Sequence, residues 1–204
     1  MRTTLLIDLD GVLRRWPTEY KALEAQSLLP EGAIMRAAFE RNRLDRVVTG
    51  KISDAAWRRE IAQELSQRYP GSSALAAIEK WSESTGEINS EVLDLTKKVR
   101  PRCQVVLITN GTDRLHDDLY KLGLSSSFDS IVNSSEVGFA KPSPEIFRHA
   151  LALAGAEPQS THFVDDSRSH VEGARILGIN SHHYQTPTEL ADFLAQHGLW
   201  SDAA

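Results

Sequence analysis

The 204-residue sequence predicts an α/β protein, a doubly wound parallel sheet interrupted early by an all-helical insertion. Three observations predict it. Short runs of strand length, the first ones apolar, recur at 3–8, 103–111, 128–134, 161–167 and 180–186. The later runs alternate with helical patterns at 113–123, 143–156 and 169–178, the order expected of parallel strands joined by helices. Between about 14 and 90 the chain instead carries four helical segments in succession, with no convincing strand.

The first run, at 3–8, is rich in Leu and Ile with little polar alternation, as suits a strand covered on both faces. The insertion then supplies helical segments at 18–29, 31–42, 53–69 and 72–84. In the third of these, Ala56, Trp57, Ile61 and Leu65 fall near one helical face, and Ser53 or Asp54 stands ready to cap it. Residues 87–103 return the chain to the sheet. The helical patterns after it end in Gly, or in Ala just after Gly, a common helix stop. Ser143 is placed to cap the helix that follows Pro142. The predicted division is a sheet domain of residues 1–14 and 91–204 and a helical domain of residues 15–90.

Composition narrows the function classes. A net charge of -5 offers no global footprint for nucleic acid or an anionic membrane. The single cysteine, Cys103, cannot form an internal disulfide and reads as a small buried hydrophobe. The N-terminal apolar stretch is too short for a signal peptide and no run has the length to span a bilayer, so a cytoplasmic protein is expected. The string "VVTGKIS" lacks the earlier Gly of a phosphate-binding loop, since Asp45 stands there. The basic stretch around Arg41, Arg43, Arg46 and Lys51 reads as a solvated helix end. His182 and His183 are adjacent and so face opposite sides of a strand, which suits no shared metal. Trp57 and Trp81 read as packing within the insertion.

The chemistry sits at strand ends. In open α/β sheets ligands bind beyond the carboxyl ends of the strands. Asp8 and Asp10, Thr109 and Asn110, and Asp165 and Asp166 all fall there. Carboxylates crowded at one spot require cations, and Mg²⁺ held by a few carboxylates and a substrate phosphate is a common solution. Lys141, just before Pro142, supplies a second positive charge. An insertion leaving the first strand at its carboxyl end is expected to cover this site as a lid.

Four strings in order, "DLDGVL" at 8–13, "LITNG" at 107–111, the Lys141–Pro142 pair in "GFAKPSPEIF", and "FVDDS" at 163–167, resemble the signature motifs of the haloacid dehalogenase-like superfamily. The insertion is similar to that superfamily's small helical cap of type C1. The resemblance implies a Rossmann-like core and assigns roles. Asp8 would be the nucleophile that forms an aspartyl-phosphate. Asp10 would be the general acid and then base. Thr109 and the Asn110 backbone N–H would bind the transferring phosphoryl oxygens, and Lys141 would offset their charge. Asp166 would bind Mg²⁺ with Asp8 and the Asp10 backbone carbonyl, while Asp165 positions Lys141 or a metal-bound water.

His170 stands where many relatives carry Asp or Asn, and reads as the polar start of a helix. Arg14, Arg15 and Trp16 follow the first motif and are candidates for substrate contact or for a hinge. Asp10 itself favours phosphate ester hydrolysis over dehalogenation, because a departing halide needs no proton. The implied activity is Mg²⁺-dependent hydrolysis of a small phosphorylated metabolite, with sugar phosphates favoured by the similarity of "GKISDAAW" and "FVDDSRSHVEGARILGI". A nucleotidase, a phosphonate hydrolase, a dehalogenase and a non-catalytic phosphate-binding module are the alternatives.

Overall fold

The computed structural model describes residues 3–16 and 20–200. Its sheet has five strands: β1 (Thr3–Ile7), β4 (Cys103–Thr109), β5 (Ser130–Asn133), β6 (Thr161–Asp165) and β7 (Asn180–His183). All pairings are parallel and the spatial order is β5-β4-β1-β6-β7. β1 therefore lies at the centre, flanked by the two strands that deliver the other site residues.

Side chains alternate across the sheet, and each face has its own core. Leu5, Ile7, Val105, Leu107 and Val164 point to one side, against helices α6 (Ser90–Val99), α7 (Leu115–Lys121) and α11 (Pro187–Gln196). Leu6, Val106, Ile108 and Phe163 point to the other, against α8 (Ser134–Val137), α9 (Pro144–Ala154) and α10 (Arg168–Ile176). Burial on both faces explains why these strands are continuously apolar. The sheet is the Rossmann-like, doubly wound α/β arrangement expected from the sequence.

The insertion has a separate core, built among others from Ile34, Val47, Trp57, Ile61, Leu65 and Ile78. It contains α1 (Lys21–Gln26), α2 (Ala33–Ala38), α3 (Arg41–Val48), α4 (Asp54–Arg68) and α5 (Ala74–Ser82). Residues 18 and 19, where the first predicted helical segment begins, lie outside the described residues. Where one helix was expected over 31–42, the chain breaks after Ala38. Glu40 caps a new helix, α3, accepting from the backbone N–H groups of Asn42 and Arg43. The basic residues there are paired internally: Arg43 with Glu64 at 2.6 Å and Arg46 with Glu60 at 2.8 Å. Ser53 caps α4 through Ala56 N–H at 3.1 Å. Ser143 occupies the N-cap of α9, but its hydroxyl bonds Glu145 instead of the helix backbone.

Two short strands close the neck of the insertion, β2 (Arg14–Arg15) and β3 (Glu87–Ile88), paired antiparallel. Two-residue strands carry no readable period, and neither was expected from the sequence. No helix among the described residues is long and apolar enough to cross a membrane.

Candidate active site

Because β1, β4 and β6 run side by side in the same direction, their carboxyl ends bring Asp8, Thr109 and Asp165 into one place. Lys141 reaches the same point from the loop before α9. Its ammonium lies 2.8 Å from Asp8 Oδ1, donates to Asp165 Oδ2 at 2.6 Å and donates to the Ile108 carbonyl at 3.0 Å. All three ammonium donors are thereby satisfied, and the side chain is 1% exposed. The loop holding Lys141 is fixed by Asn110, whose amide accepts from Lys141 N–H at 2.7 Å and donates to the Lys141 carbonyl at 2.9 Å. Asn110 was expected to act only through its backbone; its side chain sets where the lysine stands.

Asp8 Oδ1 also accepts from Leu9 N–H at 2.7 Å. Both donors converge on Oδ1, which leaves Oδ2 available to attack. Burial pushes the Asp8 carboxyl up to about 8, against the opposing pull of Lys141 and with further help from Asp165. Asp165 is equally buried, yet His170 and Lys141 hold its carboxyl below the usual range. His170 is thus more than a helix start: its Nδ1 lies 3.0 Å from Asp165 Oδ1 and buttresses the carboxylate that grips Lys141. Ser167 N–H donates to the same oxygen at 2.8 Å.

Asp166 completes the cluster. Carboxylate oxygens of Asp8, Asp165 and Asp166 all lie within 4.8 Å of one another. Its carboxyl is raised by partial burial and then by Asp165. One ammonium against three carboxylates leaves negative charge uncompensated, and the donor set is all oxygen, so a hard divalent cation fits here. Gly11 permits the approach of Asp166. It has φ +88°, and a Cβ at that position would overlap the Asp166 carboxylate. His183, next in sequence to His182, contacts the Asp166 carbonyl at 2.9 Å, whereas His182 stacks on Phe193.

Asp10 sits beside the cluster in a tight loop closed by Arg14 N–H to the Leu9 carbonyl at 2.7 Å and Gly11 N–H to the Arg14 carbonyl at 2.8 Å. That loop folds Arg14 back onto Asp10. Arg14 donates from Nε at 2.7 Å and Nη2 at 2.9 Å, one to each carboxylate oxygen, and Trp16 Nε1 adds a third bond at 2.7 Å. The other arm of Arg14 meets Asp118 at 3.1 Å, and Asp118 also accepts from Arg114 at 2.8 Å. Arg114 then donates to the carbonyls of Ser82 at 2.6 Å and Ser84 at 2.9 Å, at the end of the insertion. Arg14 is therefore 4% exposed and committed to two carboxylates; it orients Asp10 and does not offer a free charge to substrate. Arg15 is exposed and lies outside the cavity, while Trp16 lines it. Asp118 and Arg114 were not foreseen, since nothing in their local strings separates them from an ordinary amphipathic helix.

Above these groups lies a cavity of about 740 Å³ between the sheet ends and the insertion, with Asp10, Asn110 and Lys141 in its floor. The insertion is joined to that floor by Asp54, whose N–H donates to Asp113 at 2.7 Å and whose carboxylate accepts from Thr112 at 3.1 Å.

The sequence and the fold are shared with known proteins. Residues 3–178 match the family model described as a haloacid dehalogenase-like hydrolase. The bifunctional epoxide hydrolase 2 of Sus scrofa is 30% identical over 193 residues, covering 85% of this chain and 35% of that protein. The pyrimidine 5'-nucleotidase YjjG of Escherichia coli is 34% identical over 107 residues, 48% of each chain. This chain spans only about a third of the length of the first curated relatives it matches. Among solved structures, a HAD family enzyme of Bacteroides thetaiotaomicron in complex with magnesium and inorganic phosphate superposes with a TM-score of 0.73 at 26% identity, over 91% of this chain and 95% of that one. On the match of its sheet, its motifs and most of its length, the chain belongs to the haloacid dehalogenase-like hydrolases.

Proposed function

We propose that the protein is a Mg²⁺-dependent phosphohydrolase acting on a small phosphate monoester through a covalent intermediate on Asp8. The observation that carries this reading is Lys141 clamped between Asp8 and Asp165, with Asp166 beside them and Asp10 held in the cavity floor. The nearest use of such a cluster is to receive a phosphoryl group. The magnesium and inorganic phosphate bound in the Bacteroides thetaiotaomicron relative support it.

In this reading Asp8 Oδ2 attacks phosphorus and the bond to the leaving oxygen breaks. Asp10 delivers its proton to the departing alkoxide. Water then attacks the aspartyl-phosphate, Asp10 takes a proton from it, and the Asp8–phosphorus bond breaks to release inorganic phosphate. Thr109, buried at the end of β4, and the Asn110 N–H hold the phosphoryl oxygens, while Lys141 offsets their charge. Asp8, Asp166 and the Asp10 carbonyl would hold the Mg²⁺, which would supply Lewis-acid stabilisation of the transferring group. The insertion serves as a cap that excludes bulk water from the first step. Asp10 favours this reading over dehalogenation, and the intact Asp8, Asp10, Lys141 and Asp166 favour it over a non-catalytic module.

The test is release of phosphate from a panel of monoesters with and without Mg²⁺, run in parallel on Asp8→Asn. Turnover is expected to require both the cation and Asp8. Undiminished release by Asp8→Asn would overturn the assignment. The expectation of a sugar phosphate finds little support in the cavity walls, which are mainly apolar.

A further inference from the structure

The cavity over the phosphoryl site has walls unlike its floor. Trp16, Tyr20, Met35, Phe39, Trp57 and Trp81 line it, with aliphatic side chains of α3 among them. Three of these, Trp16, Met35 and Phe39, are large apolar residues left 38%, 37% and 56% exposed, and all three face this one cavity. Large apolar side chains grouped around a hollow mark a place where apolar surface is to be covered. The volume, about 740 Å³, lies within the roughly 300–1,000 Å³ of pockets that enclose a whole small ligand.

The guanidinium groups in the walls are already used, and the exposed Asp45 carboxylate there repels a second anion. Arg14 is bonded to Asp10 and Asp118, and Arg114 to Asp118 and two carbonyls. Arg58 is paired with Asp54 and lies over the Trp81 ring at 4.7 Å. Among the described residues no guanidinium in the wall is left to meet a second anion, which argues against bisphosphates and nucleoside di- or triphosphates. A polyol would bring hydroxyls to Met35, Phe39, Val47 and Val48, none of which can bond them.

We infer that the cavity takes the apolar leaving group of a phosphate monoester, that is, the monophosphate of a hydrophobic alcohol. The phosphoryl group sits on the floor by Asp8 and Lys141 and the hydrocarbon rises between Trp16, Phe39 and Met35. This rests on the phosphohydrolase reading for its chemistry, though not for the binding it predicts. Met35 adds adaptability, since its flexible thioether packs against chains of differing shape.

The test uses a series of n-alkyl monophosphates from methyl to decyl, with glucose 1-phosphate as the polar comparison. In the first arm, kcat/KM for phosphate release with Mg²⁺ is expected to rise about fourfold per methylene until the cavity is filled, given the free energy of burying a methylene. Phe39→Ser, a substitution at an exposed position, is expected to lower the decyl-to-methyl ratio. In the second arm, binding of the same series to Asp8→Asn protein is followed by tryptophan fluorescence, and affinity is expected to climb with chain length. A flat dependence on chain length in that binding arm, or tighter binding of glucose 1-phosphate than of decyl phosphate, overturns the inference. Absence of phosphate release from every ester, with chain-length-dependent binding intact, would instead reject the phosphohydrolase reading and leave the apolar site standing.

Discussion

Lys141→Met removes the ammonium from the centre of the acidic cluster while keeping an unbranched apolar stem. Three bonds are lost, to Asp8 at 2.8 Å, Asp165 at 2.6 Å and the Ile108 carbonyl at 3.0 Å. Removing the lysine also recovers the cost of desolvating it, so the bare Coulomb attraction overstates the effect. What remains is two carboxylates, 7% and 0% exposed, facing each other without their cation. Breaking a buried pair in this way costs about 3–5 kcal/mol. For a domain of this size that corresponds to a fall in Tm of about 6–20 °C. The loss has a defined pH dependence. Lys141 helps to hold the buried Asp165 carboxyl below its ordinary range; without it burial favours the protonated form, so the deficit grows as pH rises above the ordinary carboxylate range. Differential scanning calorimetry in EDTA at pH 5 and pH 8 measures it. A Tm within about 2 °C of the parent at pH 8 would refute the reasoning, because Lys141 would then not be neutralising the cluster.

Further outcomes follow from the same geometry. In the parent protein without divalent cation, Asp8 is raised to about 8 from an ordinary 3.8, so folding stability should fall between pH 4 and pH 8. Asp8→Asn should flatten that slope, and saturating Mg²⁺ should stabilise the parent more at pH 8 than at pH 5, both read from denaturant melts. His162, whose ring packs on Phe193 and His197, is lowered by burial and then by His197 to about 4. Its lowered value means stability is lost as pH falls below about 6.5, levelling near 4, and His162→Phe should remove that component of the acid transition. Arg14→Met releases Asp10 from a two-point, charge-assisted clasp of about 1.5–3 kcal/mol. It should therefore lower kcat roughly 10- to 100-fold, with Arg14→Lys restoring only part because it cannot grip both oxygens.

Much of the fold was legible because burial on two faces leaves strands without polar interruption, as in "TLLI" and "VVLI". The ends of β1, β4 and β6 could be placed for the same reason: the apolar run stops where Asp8, Thr109 and Asp165 begin. The neck strands β2 and β3 were hidden, since two residues carry no periodicity. The break before α3 turned on Glu40, whose capping role depends on the local turn more than on residue type. At the site, the motif residues were readable by order and spacing, but their supports were not. Arg14 and Asp118 are separated by 104 positions and meet only because the insertion's neck folds against α7. His170 looked like a helix start; only the approach of α10 to β6 reveals its bond to Asp165. The apolar cavity was equally hidden, because Trp57 and Trp81 serve both the packing of the insertion and the wall of the site.

The claim that Asp8 receives the phosphoryl group is tested most directly by quenching the enzyme during turnover of a phosphate monoester and reducing it with borohydride. An aspartyl-phosphate is thereby converted to homoserine, and peptide mass spectrometry locates it. Homoserine at position 8, enriched in Asp10→Asn where hydrolysis of the intermediate is slowed, is the predicted result. Steady turnover with an unmodified Asp8, or with the label on another carboxylate, would contradict it.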